Sequence, residues 1–189
     1  MLNLGRRLVP YKIRRARVKY ARIEVRGKTV NITVPYNYNE IDALVKKHLT
    51  WIEKKLGEYE LLLEKSKAVK LEHRGGAEFY KVIHEITQSL SRETGIGMPV
   101  IRFRKMKRKW ASMNSNHIMT VNTSIGLLPE RLIRYIIFHE MCHTIEMSHN
   151  ARFKSLIRNK YPYYRELDIE LKAYWIAIWG SNLNMPDSH

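Results

Sequence analysis

The amino-acid sequence predicts an α+β fold, with strands near the amino terminus and helices over most of the remaining chain. Apolar and polar residues alternate along residues 22–26 and 29–34, which is the period of half-buried strands. From residue 41 onward most apolar residues recur every three or four positions, as amphipathic helices require. A chain of 189 residues is long enough for one core or for one domain with a small appendage.

The amino-terminal region is predicted to be a small antiparallel sheet. Tyr11 and Ile13 alternate with basic residues, and Gly27 lies between the two alternating runs, as in a hairpin. Pro35 ends the last strand, because proline cannot donate to a sheet ladder. The alternation gives this hairpin region one apolar face and one strongly basic face.

A long helix is predicted to follow. Asn39 is a candidate N-cap, and helical spacing of apolar residues begins at Ile41 and continues to about Lys70. The polar, glycine-containing residues 73–76 are the best candidate for a linker. The sequence therefore predicts two regions, residues 1–75 with the hairpin region and long helix, and residues 76–189.

The second region combines helices with two strands. Phe79 and three apolar residues at helical spacing predict a helix that stops at Gly95. Strands are predicted at residues 99–104 and 118–122, with a turn-rich stretch at residues 112–116 between them. Three further helices are predicted, beginning at Pro129, capped by Ser148, and following Pro162.

The net charge of +16 is concentrated in two segments. Residues 1–28 contain ten Lys and Arg against one acid, Glu24, and residues 102–109 contain six with no acid. Such segments attract polyanions, so a nucleic-acid partner is one interpretation. The other interpretation is that both segments are solvated faces of a basic protein. The sequence leaves both open, and it does not predict an oligomeric state.

Cysteine content and hydropathy bear on the compartment. Cys142 is the one cysteine, which excludes an internal disulfide and favours a reducing compartment. The first residues lack a signal-peptide pattern, and no apolar run approaches the roughly 20 residues that span a bilayer. We therefore expect a cytoplasmic location and no membrane partner.

Residues 139–143 have the pattern H-E-x-x-H within a predicted apolar helix. His139 and His143 are one helical turn apart on the same face, so both imidazoles can bind one ion. Glu140 is adjacent to the first ligand and can act as general base on a water activated by the metal. Zinc is the expected cofactor, because it activates water and polarises a carbonyl group at such sites.

A catalytic zinc site needs a third protein ligand. His149, ten residues after His139 and beyond the predicted helix end, is the leading candidate. Glu146 would stand roughly 10 Å along the helix axis and is disfavoured. Glu166 and Glu170 on the last predicted helix remain rivals, because a later glutamate can also complete such a site.

Several stretches around this motif resemble the YgjP-like metallopeptidase family. They are Lys109–Asn114, Ile118–Asn122, Leu128–Glu130, Tyr135, the motif itself, His149 and Phe153. The sequence departs from the family pattern at Ala111 and Met113, where the family favours Gly and Cys. The basic amino-terminal part also resembles the family, so the resemblance extends over nearly the whole chain.

The resemblance implies a zincin-like metallopeptidase domain that hydrolyses peptide bonds of a protein or peptide substrate. It implies that His139, His143 and His149 bind the metal and that Glu140 is catalytic. It also implies that the strand at residues 118–122 forms a sheet edge where substrate could pair. The family is similar in its site to SprT-type proteases. The alternative function is a basic nucleic-acid-binding protein in which the zinc site is structural or inactive.

Overall fold

The fold was derived from a computed structural model that describes residues 2–3 and 8–180. Two arginines of the first basic segment, Arg6 and Arg7, and residues 181–189 of the predicted second region lie outside the described residues. The strands are β1 Leu2–Asn3, β2 Leu8–Val9, β3 Tyr11–Arg15, β4 Arg22–Arg26, β5 Thr29–Val34, β6 Val100–Arg104, β7 Ala111–Met113 and β8 Ile118–Asn122. The helices are α1 Ile41–Lys47, α2 Leu49–Ala68, α3 Gly76–Thr94, α4 Glu130–Cys142, α5 Ala151–Lys160 and α6 Tyr164–Trp179. The predicted α+β class is confirmed.

The amino-terminal sheet has the order β3-β5-β4. The β4–β5 hairpin is antiparallel, as predicted, and Gly27 at its turn has φ 58°. The prediction of a wholly antiparallel sheet is wrong, because β3 pairs parallel to β5. The connection after β3 crosses the end of β5 before β4 begins, so the two outer strands run in opposite directions. Alternation in the sequence specifies faces and not strand direction.

The predicted long helix is divided into two at His48, whose φ of −107° lies outside helical geometry. Glu40 precedes the first turn, so Asn39 is not the N-cap. Val45 of α1 and Ile52 and Leu56 of α2 all pack on the apolar face of the sheet. Because of the break, α1 and α2 run in different directions and both bury apolar side chains against the same sheet. The periodicity of apolar residues in the sequence does not predict such a break.

The second sheet has the order β6-β8-β7. Strand β8 is paired on both sides, parallel to β6 and antiparallel to β7. The expectation that residues 118–122 form a sheet edge is therefore wrong. The prediction of a turn-rich stretch at residues 112–116 is also wrong at its start, because residues 112 and 113 belong to β7, one of the two edge strands. Its three residues are too short a run to show alternation.

The main core surrounds α4, which packs against α3, α5, α6 and β7. Tyr135 donates a 2.7 Å hydrogen bond to Asp168, and Arg131 binds both carboxylate oxygens of Glu170, so α4 is joined to α6 at two points. A short 3-10 helix at residues 123–127 precedes α4. Among the described residues no helix combines the length and the apolar character needed to cross a membrane. The boundary after residue 75 and the cytoplasmic location stay predictions.

Candidate metal centre

Helix α4 places the H-E-x-x-H residues inside the core. Its first turns are apolar, with Leu132, Ile133, Ile136 and Ile137 buried, and this burial continues through His139 and Glu140. The helix ends at Cys142, and His143 is its C-cap. The apolar sequence before the motif thus carries two polar side chains into a buried position, where each needs partners.

A turn after α4 returns the chain toward the motif. The ring Nδ1 of His143 lies 3.1 Å from the carbonyl oxygen of Glu146, so Nδ1–H donates and Nε2 keeps its lone pair. Asn150 caps α5 by accepting from the N–H of Phe153, so the prediction that Ser148 caps this helix is wrong. Position 149 therefore immediately precedes the cap.

The turn and cap bring three histidines together. Nε2 of His149 lies 3.2 Å from Nε2 of His139 and 3.1 Å from Nε2 of His143. All three ligand atoms lie within 4.8 Å of one another, and this is the one such group of three among the described residues. In tetrahedral zinc sites, ligand nitrogens about 2.0–2.1 Å from the ion are roughly 3.3 Å apart. The spacing therefore fits one shared metal ion.

The protonation state of His143 and His149 is also suitable for metal binding. Burial lowers the pKa of His143 and of His149, and for His149 the neighbouring His143 adds to the effect. Both imidazoles are thus kept neutral at a pH where a free histidine begins to take up a proton. The neutral ring is the form that binds metal ions.

Phe153 forms the floor under all three rings. Its ring is stacked at 4.6 Å on His143 and lies edge-on to His139 at 4.8 Å and to His149 at 4.6 Å. Phe153 is 2% exposed, so it cannot move without opening the core. Helix α5 therefore positions the histidines through one aromatic side chain.

Glu140 follows His139 on helix α4, and its carboxyl group is buried. Burial raises the pKa of Glu140 to about 7, while a hydrogen bond from the backbone N–H of Met113 and the charge of Lys109 lower it. Strand β7 thus contributes a direct partner to the carboxyl group. The sequence resemblance included Met113 but did not reveal this contact, because the contact is made by the backbone.

Lys109 is a second residue near the site whose influence the sequence did not reveal. Its positive charge lowers the pKa of Glu140, His143 and His149 alike. The residue is exposed and lies just before β7, four positions before Met113. In the sequence Lys109 is one of six bases in a run, and nothing there separates it from the others.

The carboxyl groups of the three glutamates considered as alternative third ligands do not lie at the histidine cluster. Glu170 is bound to Arg131, and both Glu166 and Glu170 line a cleft between α2 and α6. Glu146 accepts from the hydroxyl of Ser148 at 2.9 Å, and only its backbone contacts His143. Of the four candidates for a third ligand, the structure brings His149 alone to His139 and His143.

A buried helix with H-E-x-x-H and a third histidine converging on it defines a metallohydrolase type of site. Residues 64–174 match the family model described as YgjP-like, metallopeptidase domain. The match covers more than half of the chain, and the protein belongs to the YgjP-like metallopeptidase family. Membership implies a hydrolase that acts on protein substrates.

Two solved structures are similar to parts of the chain. The crystal structure of the metallopeptidase zymogen abylysin from Pyrococcus abyssi is 21% identical over 54% of this chain and 99% of that chain, with a TM-score of 0.45. The metallopeptidase zymogen jannalysin from Methanocaldococcus jannaschii is 28% identical over 50% of this chain and 91% of that chain, with a TM-score of 0.38. No curated protein sequence gives a significant match.

Proposed function

We propose that the protein is a zinc-dependent peptidase in which His139, His143 and His149 bind the metal and Glu140 is the general base. One observation carries this proposal: Nε2 of His149 lies 3.1–3.2 Å from Nε2 of both His139 and His143, and the residue after His139 is the buried Glu140. Three nitrogen ligands leave a fourth position of a tetrahedral ion for water or substrate, as in catalytic rather than structural zinc sites.

Each residue then has a defined task. A zinc ion bound there would supply a Lewis acid that activates water and polarises the scissile carbonyl. Glu140 takes a proton from the attacking water and returns it to the leaving amine. A carboxyl group with a pKa near neutral can do both. The Glu146 carbonyl holds His143 in the tautomer that presents Nε2 to the ion.

Lys109 is proposed to act on the substrate. Its charge lowers the pKa of Glu140 and of two of the histidines, and the same charge would act on a peptide carbonyl bound between those residues. The carbonyl oxygen gains negative charge as water adds, and a nearby cation stabilises that charge. Lys109 is exposed and lies two residues before β7, the strand whose Met113 contacts Glu140.

The proposal is tested on the full chain by metal analysis and peptide cleavage together. The purified protein should contain about one zinc per chain, and it should cleave members of a peptide library in a manner that a chelator abolishes and zinc restores. Glu140→Gln should keep the metal and lose cleavage, because the amide cannot take up a proton. Cleavage by Glu140→Gln at the parental rate would exclude Glu140 as the base.

The second candidate function is a basic nucleic-acid-binding protein with a structural or inactive zinc site. The two basic segments are the observation that favours it. Retained zinc without cleavage of any library member, together with tight oligonucleotide binding, would select this function over peptidase activity.

A further inference from the structure

The amino-terminal sheet has an outward face whose side chains follow from the pairing register. Val30, Ile32 and Val34 point to the helices α1 and α2, so the alternate positions of β5 point outward. In register with these positions, Arg14 and Arg22 flank Thr33 on its two sides, and Lys12 and Glu24 flank Asn31. We call this surface the outer sheet face; its members are Lys12, Arg14, Arg22, Glu24, Arg26, Thr29, Asn31 and Thr33.

The outer sheet face carries a net positive charge that is mostly uncompensated. Glu24 is its one acid and forms an ion pair with Arg26 at 2.7 Å. Among residues 8–180, no carboxylate lies within ion-pair distance of Lys12, Arg14 or Arg22. Strands are about 4.8 Å apart, so Arg14 and Arg22 are held roughly 10 Å from each other across the sheet. Like charges held in this way form a positive surface that attracts anions.

Two exposed aromatic side chains lie at the end of the sheet where β5 stops. The connection from β3 to β4 crosses the end of β5, and Tyr20 in that connection is 69% exposed. Tyr36 leaves β5 at the same end and is 65% exposed. Arg15 fixes the Tyr36 turn by donating to the carbonyl oxygens of Tyr36 and Tyr38 at 2.7 and 2.9 Å. The exposed Arg17 and Lys19 lie in the same connection.

We propose that the outer sheet face is a docking site for single-stranded nucleic acid. The bases Lys12, Arg14 and Arg22 would contact phosphates, and the rings of Tyr20 and Tyr36 would stack on unpaired bases. The face is a sheet with no helix on it to enter a major groove, which favours a single strand over a duplex. It carries no large apolar side chain among its charges, which disfavours insertion into a lipid surface.

This site is separate from the metal centre. All of its residues precede residue 64, where the match to the metallopeptidase family model begins. The inference therefore stands whether or not the chain cleaves peptides.

The charge component is tested with the full chain and a fluorescently labelled 20-nucleotide oligo-dT or oligo-U, by anisotropy over a series of salt concentrations. The triple variant Lys12→Gln, Arg14→Gln, Arg22→Gln should reduce the slope of log affinity against log salt by about 2, because each lost contact with a single strand removes about 0.7. The matched control neutralises three exposed lysines of α1 and α2, Lys47, Lys54 and Lys65. It has the same net charge and should keep nearly the parental slope.

The stacking component is tested separately. Tyr20→Ala with Tyr36→Ala should weaken binding of either single strand by about tenfold or more. The double variant should leave duplex binding unchanged. The control Tyr163→Ala, at a similarly exposed tyrosine immediately before α6, should change the binding of neither single strands nor duplex. Equal slopes for parent and both triple variants would overturn the proposal. The proposal would also be overturned if the protein bound a duplex, or phosphatidylserine vesicles, more tightly than it binds either single strand.

Discussion

The backbone N–H of Met113 donates a hydrogen bond to the carboxyl group of Glu140, which links the edge strand β7 to the centre of helix α4. Ser112, one residue earlier, is paired with Thr120 of β8. The backbone N–H and C=O groups of successive strand residues point to opposite edges of the strand, so those of Met113 point away from β8. The position of the proposed base therefore depends on β7, and β7 in turn depends on the loop that precedes it.

Asn122 holds that loop in place, and we expect Asn122→Ala to lower the free energy of unfolding by roughly 3 kcal/mol. The side chain is fully buried and donates to the carbonyl oxygens of Met106 and Lys109, each at 2.8 Å. Its Oδ1 accepts from the N–H of Met106 at 3.2 Å. Alanine leaves these buried backbone groups without partners. Urea denaturation measures the change.

The control for this prediction is Asn116→Ala, an exposed asparagine in the turn before β8. It should change the stability by no more than about 0.5 kcal/mol. If both variants were equally stable, the loop would not depend on Asn122 and water would replace its hydrogen bonds.

His149→Ala should weaken zinc binding by about 100-fold or more, because even partners outside the ligand set cost 10–100-fold. Competition with a chromophoric chelator measures the affinity. Glu166→Ala and Glu170→Ala should retain the parental affinity, since their side chains line the cleft between α2 and α6. His84→Ala, an exposed histidine on α3, controls for the loss of any imidazole. A larger loss of affinity for either glutamate variant would move the third ligand to α6.

Local pattern was sufficient to predict most helices and the β4–β5 hairpin. Gly95 illustrates why: the predicted helix end is a glycine with φ 72°, a conformation that other residues rarely adopt. The division at His48 and the parallel pairing of β3 were not predictable in this way. Both depend on how distant segments share one apolar surface, which a periodic pattern does not encode.

The candidate site was predictable to the extent that it rests on side-chain types at fixed helical spacing. His139 and His143 follow from the H-E-x-x-H pattern, and the position of His149 just beyond the predicted helix end favours it as the third ligand. Met113 contributes its backbone N–H, and a contact made by the backbone cannot be predicted from the type of residue. Lys109 is one base in a run of six, and only its position two residues before β7 distinguishes it from the others.

The ionised carboxylate of Glu93 should stabilise the folded protein at neutral pH, and this stabilisation should be lost in acid. Lys160, Ser89 and Arg134 bind it and lower its pKa from 4.5 to about 2. A lowered pKa means that the folded state favours the ionised form, so the stabilisation is complete above pH 4.5 and is lost between about pH 4.5 and 2. Glu93→Gln should therefore be less stable than the parent at pH 7 and equally stable near pH 2.

Denaturation at a series of pH values measures this difference. The side chain of Glu93 is 40% exposed, so salt should reduce the effect. Glu85→Gln is a matched control on the same helix, because its lysine partner Lys81 lies 3.9 Å away. An equal difference between parent and Glu93→Gln at pH 7 and pH 2 would show that the three partners do not act on the ionised carboxylate.

Lys109→Gln should lower kcat by about 100-fold while KM changes little and zinc stays bound. A cation that stabilises charge developing on the carbonyl oxygen contributes to the transition state and not to substrate binding. Lys109→Arg keeps the charge and should retain much of the activity. Arg108→Gln removes an equal charge from the neighbouring exposed position and should change kcat little. Steady-state kinetics on one cleaved peptide, with zinc content measured in parallel, compares the four proteins.

The pH profile separates this role from a structural one. The charge of Lys109 lowers the pKa of Glu140, so its removal should raise that pKa and move the acidic limb of the activity profile to higher pH. A variant that only loosened the β7 loop would lose activity at every pH without such a shift. Equal losses of kcat in Lys109→Gln and Arg108→Gln, with unchanged profiles, would show that the whole basic loop acts through its net charge. Lys109 would then have no part of its own in the reaction.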